Sequence, residues 1–144
     1  MGLESHLLQG GDFPTALRAM IQHMCGASSD TCRVCIDDVE SKISTEQAFS
    51  VINIAREGLS NALRHSHATR ITVSFRELLG SFQLTITDNG LGFNPRSIKS
   101  LGHGLDNMAT RAKKIGGVLA VRSEPFKGTR VLLDLPKNTT EAFA

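Results

Sequence analysis

The sequence predicts an α+β protein: a two-layer sandwich with helices on one face of a mixed, mostly antiparallel sheet. Three observations carry this. Helical stretches stand before and between pairs of alternating strands, without the regular βαβ repeat of a doubly wound fold. Short turns, Leu78 to Gly80 and Glu124 to Gly128, join strands within each pair. The chain of 144 residues, 40% hydrophobic and 21% charged, suits one soluble domain with a real core.

Residues 1 to 11 read as irregular and end in Gly10-Gly11. Asp12 and Pro14 mark a helix start. Leu17, Met20, Ile21 and Met24 then form one apolar face, Gly26 closes the helix, and Ala27 to Asp30 is a loop. Arg33 to Asp37 is a short strand. Ser44-x-x-Gln47 is a capping box at the head of the longest helix. Its apolar stripe takes Phe49, Ile52, Leu59, Ala62 and Leu63 with Ala55 between, and its opposite stripe carries Asn53, Glu57, Asn61 and Arg64. That helix should end near His65 to His67.

Ile71, Val73 and Phe75 alternate with polar residues, and Phe82, Leu84 and Ile86 alternate again and run into Asp88. Gly92 to His103 has loop character. Gly104 opens a helix with Leu105, Met108, Ala112 and Ile115 on one face, and Gly116-Gly117 ends it. Val118 to Val121 and Thr129 to Leu135 form a hairpin, after which Pro136 and a polar tail close the chain. There is no internal repeat.

The net charge is +2, Trp and Tyr are absent, and no basic run is interleaved with aromatics, so nucleic-acid binding has little support. No apolar run approaches the roughly 20 residues of a membrane span, and Met1 does not begin a signal-peptide pattern. Cys25, Cys32 and Cys35 are an odd number without a secretory signal and are expected to be free thiols, with zinc binding or redox sensing as the lesser readings. On a strand, Cys32 and Cys35 point to opposite faces, which is poor geometry for chelation.

Four stretches could carry chemistry. Asp88-Asn89-Gly90-Leu91-Gly92 is a hairpin-type turn or a site where backbone approaches a ligand beside one carboxylate. Glu57 and Asn61 are helical neighbours at i, i+4, Arg64 continues the row and His65 lies beside it. A carboxylate, an amide oxygen and a guanidinium in one row suit a magnesium-triphosphate; the alternative is a solvated helix face. Gly102-His103-Gly104 precedes a helix N-terminus, which favours a phosphate, or is a loop. Thr129, after Gly128, offers a hydroxyl or is simply a strand residue. No GxxxxGK[ST] loop and no protein-kinase HRD or DFG signature is present.

Jointly, Glu57-x-x-x-Asn61-Ala62, Asp88-x-Gly90-x-Gly92, Gly102-x-Gly104-Leu105 and Gly128-Thr129 occur in this order on matching elements. In this the chain resembles the Bergerat-fold (GHKL) ATPases, which include gyrase, Hsp90, MutL and histidine kinases, over about residues 44 to 136. The run Arg56 to Ala68 resembles the N box of sensor histidine kinases of the nitrate/nitrite-sensor and DesK-like group. Gly104-Leu105-Asp106-Asn107-Met108, through Arg111 to Gly116-Gly117, resembles that group's second glycine box and helix. The Asp12 to Met24 helix, with Ala16-Leu17-Arg18, resembles the segment preceding the ATPase core.

The resemblance implies a Bergerat fold in residues 31 to 136, a leading segment from an acceptor domain in residues 1 to 30, and a tail in residues 137 to 144. It implies ATP and Mg²⁺ as ligands. Asn61 would ligate Mg²⁺, and Glu57 would act through a water to polarise the attacking group. Arg64 and His65 would stand near the phosphates. Asp88 would accept a hydrogen bond from the adenine amine, with Gly90 and Gly92 letting the base lie against backbone and Thr129 at the adenine end. Residues 93 to 103, including His103, would form a lid hinged on Gly92 and Gly102, with the Gly104 and Leu105 amides meeting phosphates.

The implied partners are a histidine-bearing dimerisation domain and a downstream response regulator, in the cytoplasm, with the full-length kinase open to membrane anchoring. None of His6, His23, His65, His67 and His103 has the acidic follower of an acceptor histidine. The chain is therefore expected to bind ATP-Mg without phosphorylating itself. The alternatives are an anti-sigma-factor-type serine kinase and a non-catalytic nucleotide-binding module.

Overall fold

The computed structural model describes residues 12–26, 30–39, 42–65, 67–93 and 104–137. Helix α1 spans Phe13–Cys25, strand β1 Cys32–Ile36, helix α2 Thr45–His65, strand β2 Ile71–Glu77 and strand β3 Ser81–Asp88. Helix α3 spans Gly104–Lys114, strand β4 Val118–Glu124 and strand β5 Gly128–Pro136. One five-stranded sheet has the order β1-β2-β3-β5-β4. β1 pairs with β2 in parallel, and every other pairing is antiparallel. The expected α+β sandwich is the observed one; its mixed character comes from a single β1–α2–β2 crossover.

The helix ends follow the local chemistry. Asp12 accepts the Thr15 N–H at 2.8 Å, and Pro14 stands in the first turn of α1. The capping box of α2 is reciprocal: the Gln47 N–H donates to Ser44 Oγ at 3.1 Å, and the Ser44 N–H donates to Gln47 Oε1 at 3.2 Å. At the end of α3 the Gly117 N–H reaches the Ala112 carbonyl at 2.8 Å and the Gly116 N–H the Lys113 carbonyl at 3.1 Å, a Schellman closure. Replacing Ser44 by Ala is expected to lower stability by about 1 kcal/mol, read as a shift of the urea midpoint with unchanged slope.

The core lies between the helices and the inner sheet face. On β2 the inner residues are Ile71, Val73 and Phe75, on β3 Phe82, Leu84 and Ile86, and on β5 Val131, Leu133 and Leu135, all buried. Phe75 stands between Phe13 of α1, edge-on at 4.8 Å between ring centroids, and Phe82, stacked at 5.7 Å. The buried arc of α2 is wider than its predicted stripe. Ala48, Val51, Ile54 and Gly58 are buried too, while Phe49 and Leu63 are only half-buried. The reason is that α2 packs against α1 and α3 as well as against β2 and β3.

One expectation is corrected. Cys25, at the end of α1, and Cys32, at the start of β1, form a disulfide with Cα atoms 6.4 Å apart, so two of the three cysteines are not free thiols. Cys32 has CxxC spacing with Cys35, but it pairs with Cys25, seven residues before it, where the end of α1 turns back onto the start of β1. Cys35 is free and exposed, one outward position along the strand from its half-buried neighbours.

Candidate functional site

Strand parity places the central carboxylate. Phe82, Leu84 and Ile86 point to the helices, so Asp88, two residues on, points there as well. It is 8% exposed. Its Oδ1 accepts the Gly90 N–H at 2.9 Å, and the Thr129 N–H, opposite it on β5, also donates to the carboxylate. Burial pushes the carboxyl above its ordinary value, and the two backbone donors offset part of that rise.

The turn after Asp88 is fixed on both sides. Asn89 faces outward, and its Oδ1 accepts the N–H groups of Thr69 and Arg70 at 3.0 and 2.9 Å. Its Nδ2 donates to Thr69 Oγ1 at 2.9 Å. The Leu91 carbonyl accepts the Phe126 N–H, and the Phe93 N–H donates to Ser123 Oγ at 2.8 Å. Thus the 91–93 segment lies against the β4–β5 turn. Gly92 has φ +63°, and a Cβ there would overlap the Glu124 carbonyl oxygen and lie 2.9 Å from that of Gly128. Gly128, at φ +86°, packs equally tightly against the Asp88 carbonyl.

Between α2, β3, β5 and this segment lies a cavity of about 180 Å³, an order of magnitude more than the roughly 10–15 Å³ a water needs. Asp88 and Thr129 supply polar groups, Asn61 and His65 line it from α2, and Gly92 and Leu105 contribute from the flanking segments. Ala62, Ile86, Val131 and Phe93 supply apolar wall, and Gly58 lets α2 approach β3: a Cβ there would lie 2.6 Å from Ile86 Cδ1. A mostly apolar cavity with few polar groups suits a flat organic ligand.

Of the expected site residues, Asn61, His65, Asp88, Gly92, Leu105 and Thr129 come together around this cavity. Gly90 is buried behind Asp88 as its donor. Glu57 and Asn61 converge on the start of α3. A Cβ on Gly104 would overlap Glu57 Oε1 and stand 3.4 Å from Asn61 Nδ2. Asn53, Glu57 and Asn61 are half-buried, so the polar stripe of α2 is not a solvated face; only Arg64 on it is exposed, outside the cavity lining. Gly102, His103 and most of the expected lid, residues 94 to 103, lie outside the described residues. Among the described residues, no three His, Cys, Asp or Glu side chains converge as a metal site, and no helix is long and apolar enough to cross a membrane.

Sequence reasoning missed Gly58, Ala62, Ile86, Phe93 and Val131 as cavity wall, and it missed Ser123. The alternation of β3 and β5 could have flagged Ile86 and Val131, the inner residues nearest Asp88 and Thr129. Nothing local marks Ser123.

Residues 46–139 match the family described as histidine kinase-, DNA gyrase B-, and HSP90-like ATPase. The chain is 36% identical over 100 residues to the sensor histidine kinase LiaS of Bacillus subtilis, covering 69% of this chain and 28% of that protein. It is 36% identical over 98 residues to the nitrate/nitrite sensor protein NarX of Escherichia coli, covering 67% of this chain and 16% of NarX. The chain thus spans less than a third of these relatives. In fold it is similar to the blue-light activated histidine kinase of Erythrobacter litoralis, with a TM-score of 0.75 at 21% identity, over 90% of this chain and 43% of that one.

Proposed function

Because this chain belongs to the histidine kinase-, DNA gyrase B-, and HSP90-like ATPase family, we propose that its cavity holds the adenine of ATP and that residues 31–136 present the γ-phosphate to a histidine on a separate dimerisation domain. The observation that carries the reading is Asp88. A buried carboxylate whose charge is made costly by burial is stabilised by a ligand that donates a hydrogen bond. An ionised carboxylate is acceptor-only. An exocyclic amine satisfies it, whereas a ring carbonyl in the same place sets two acceptors against each other.

The phosphates would run toward the start of α3, where free N–H groups and the positive end of the helix dipole favour anions. The half-buried oxygen-bearing pair Glu57 and Asn61 converges there, which fits Mg²⁺, an ion that takes oxygen ligands and draws few from protein. Asn61 would hold it, Glu57 would act through a water, and the ion would supply neutralisation of phosphate charge. Arg64 and His65, at the same end of α2, add positive or donor groups at the rim. Phosphoryl transfer is mainly positioning and charge neutralisation, and these residues would serve both.

The similarity to sensor kinases supports a histidine as acceptor, a dimerisation domain joined through residues 1–30, a response regulator as the later recipient, and a cytoplasmic setting. Calorimetry with ATP and GTP, each with and without Mg²⁺, tests the reading. ATP should bind, Mg²⁺ should tighten it, and GTP should bind far more weakly. Asn61→Ala should lose the Mg²⁺-dependent part, about 10–100-fold. Equal binding of ATP and GTP sinks the proposal.

A further inference from the structure

Ser123, on β4, is buried and is not among the residues lining the cavity, yet its hydroxyl oxygen stands where three groups meet. The Phe93 N–H donates to it at 2.8 Å, Thr129 Oγ1 lies 2.8 Å away, and the Gly128 carbonyl oxygen lies 3.2 Å away. Phe93 and Thr129 both line the cavity. A hydroxyl has one proton and two lone pairs, and the Phe93 N–H takes one lone pair. What remains is the direction of the proton. Directed at Gly128, it leaves Ser123 to accept the Thr129 proton, and Thr129 faces the cavity as an acceptor only. Directed at Thr129 Oγ1, it frees the Thr129 proton to point into the cavity near the Asp88 carboxylate. The second arrangement uses the shorter contact, 2.8 Å against 3.2 Å.

We propose that Ser123 is a positioning residue for base selectivity: by donating to Thr129 while holding the Phe93 backbone, it makes the cavity present a donor beside the Asp88 acceptor. This pair matches a ring edge bearing an amine next to an unprotonated nitrogen, directly or through one water. It opposes an edge bearing a carbonyl next to a ring N–H, as in hypoxanthine. The inference rests on the nucleotide reading of the cavity and adds a residue that touches no ligand.

The test is the ratio of ATP to inosine triphosphate affinity, measured by calorimetry on the wild type, Ser123→Ala, Ser123→Thr, Thr129→Val and the Ser123→Ala/Thr129→Val double variant. The wild type should prefer ATP. Ser123→Ala should cut that preference about fivefold to tenfold, and Ser123→Thr, which keeps the hydroxyl, should restore it. Because Ser123 acts through Thr129, the double variant should lose no more selectivity than Thr129→Val alone. A Ser123→Ala variant that weakens both nucleotides equally, or effects that add in the double variant, overturns the inference and leaves the nucleotide reading standing. A wild type that binds no ATP overturns both. Should Ser123→Ala fail to fold, Ser123→Cys, a weak donor and acceptor, is read by the same criteria.

Discussion

Asp88→Asn is expected to weaken ATP binding by about 100-fold or more, because a site built to accept a hydrogen bond discriminates strongly once that match is lost. The variant side chain must hold the Gly90 and Thr129 N–H groups and still meet an amine, with only one oxygen where the carboxylate has two. The same residue gives a pH signature. Its folded-state value lies above the ordinary 3.8 because burial disfavours the charge. A raised carboxyl contributes stability that is fully present below its unfolded value and lost as pH rises through its folded one. The wild type should therefore gain stability relative to Asp88→Asn as pH falls through that window toward 3.8. ATP affinity should decline over the same window, since the ligand meets the ionised form. Melting curves and calorimetry across an acid pH series check both; a flat difference between the two proteins, or a variant that binds ATP within a few-fold of wild type, rules out the assignment.

Gly92→Ala is expected to cost about 3 kcal/mol of stability. The substitution puts a Cβ at φ +63° and onto the carbonyl oxygens of Glu124 and Gly128. These are backbone atoms, so no rotamer change relieves the overlap. Gly80→Ala is the control, since nothing stands within 4 Å of a Cβ there. Urea unfolding of the two variants should separate them clearly; equal midpoints would mean that the 91–93 segment does not pack against the β4–β5 turn.

Much of the architecture was legible because it is written in local periodicity. The capping box at Ser44 and Gln47, the paired glycines after α3 and the parity of Phe82, Leu84, Ile86 and Asp88 each need only a few neighbouring residues. Asn61, Asp88 and Thr129 were also legible as separate points, and the order of their motifs linked them. The cavity wall was not. Ala62, Ile86 and Val131 have the character of core residues, and only the insertion of β5 between β3 and β4 brings Val131 beside Ile86 under Asp88. The Cys25–Cys32 pairing depends on how the end of α1 turns back onto the start of β1. The Ser123 contacts depend on hairpin register for Thr129 and Gly128 and on the approach of a segment 30 residues away for Phe93; neither is set by periodicity.

The Asn89 side chain has a consequence for the span of any ligand. Asp88 forms one jaw of the site, and the end of α2, with Asn61 and His65, forms the other. Through Asn89, the residue next to the first jaw grips the Thr69 and Arg70 amides, only a few residues beyond the helix end that carries the second. These hydrogen bonds thus tie the first jaw to the stretch that follows the second. On the nucleotide reading, lengthening the 67–70 connection should weaken ATP binding, read by calorimetry, without changing any residue that lines the cavity.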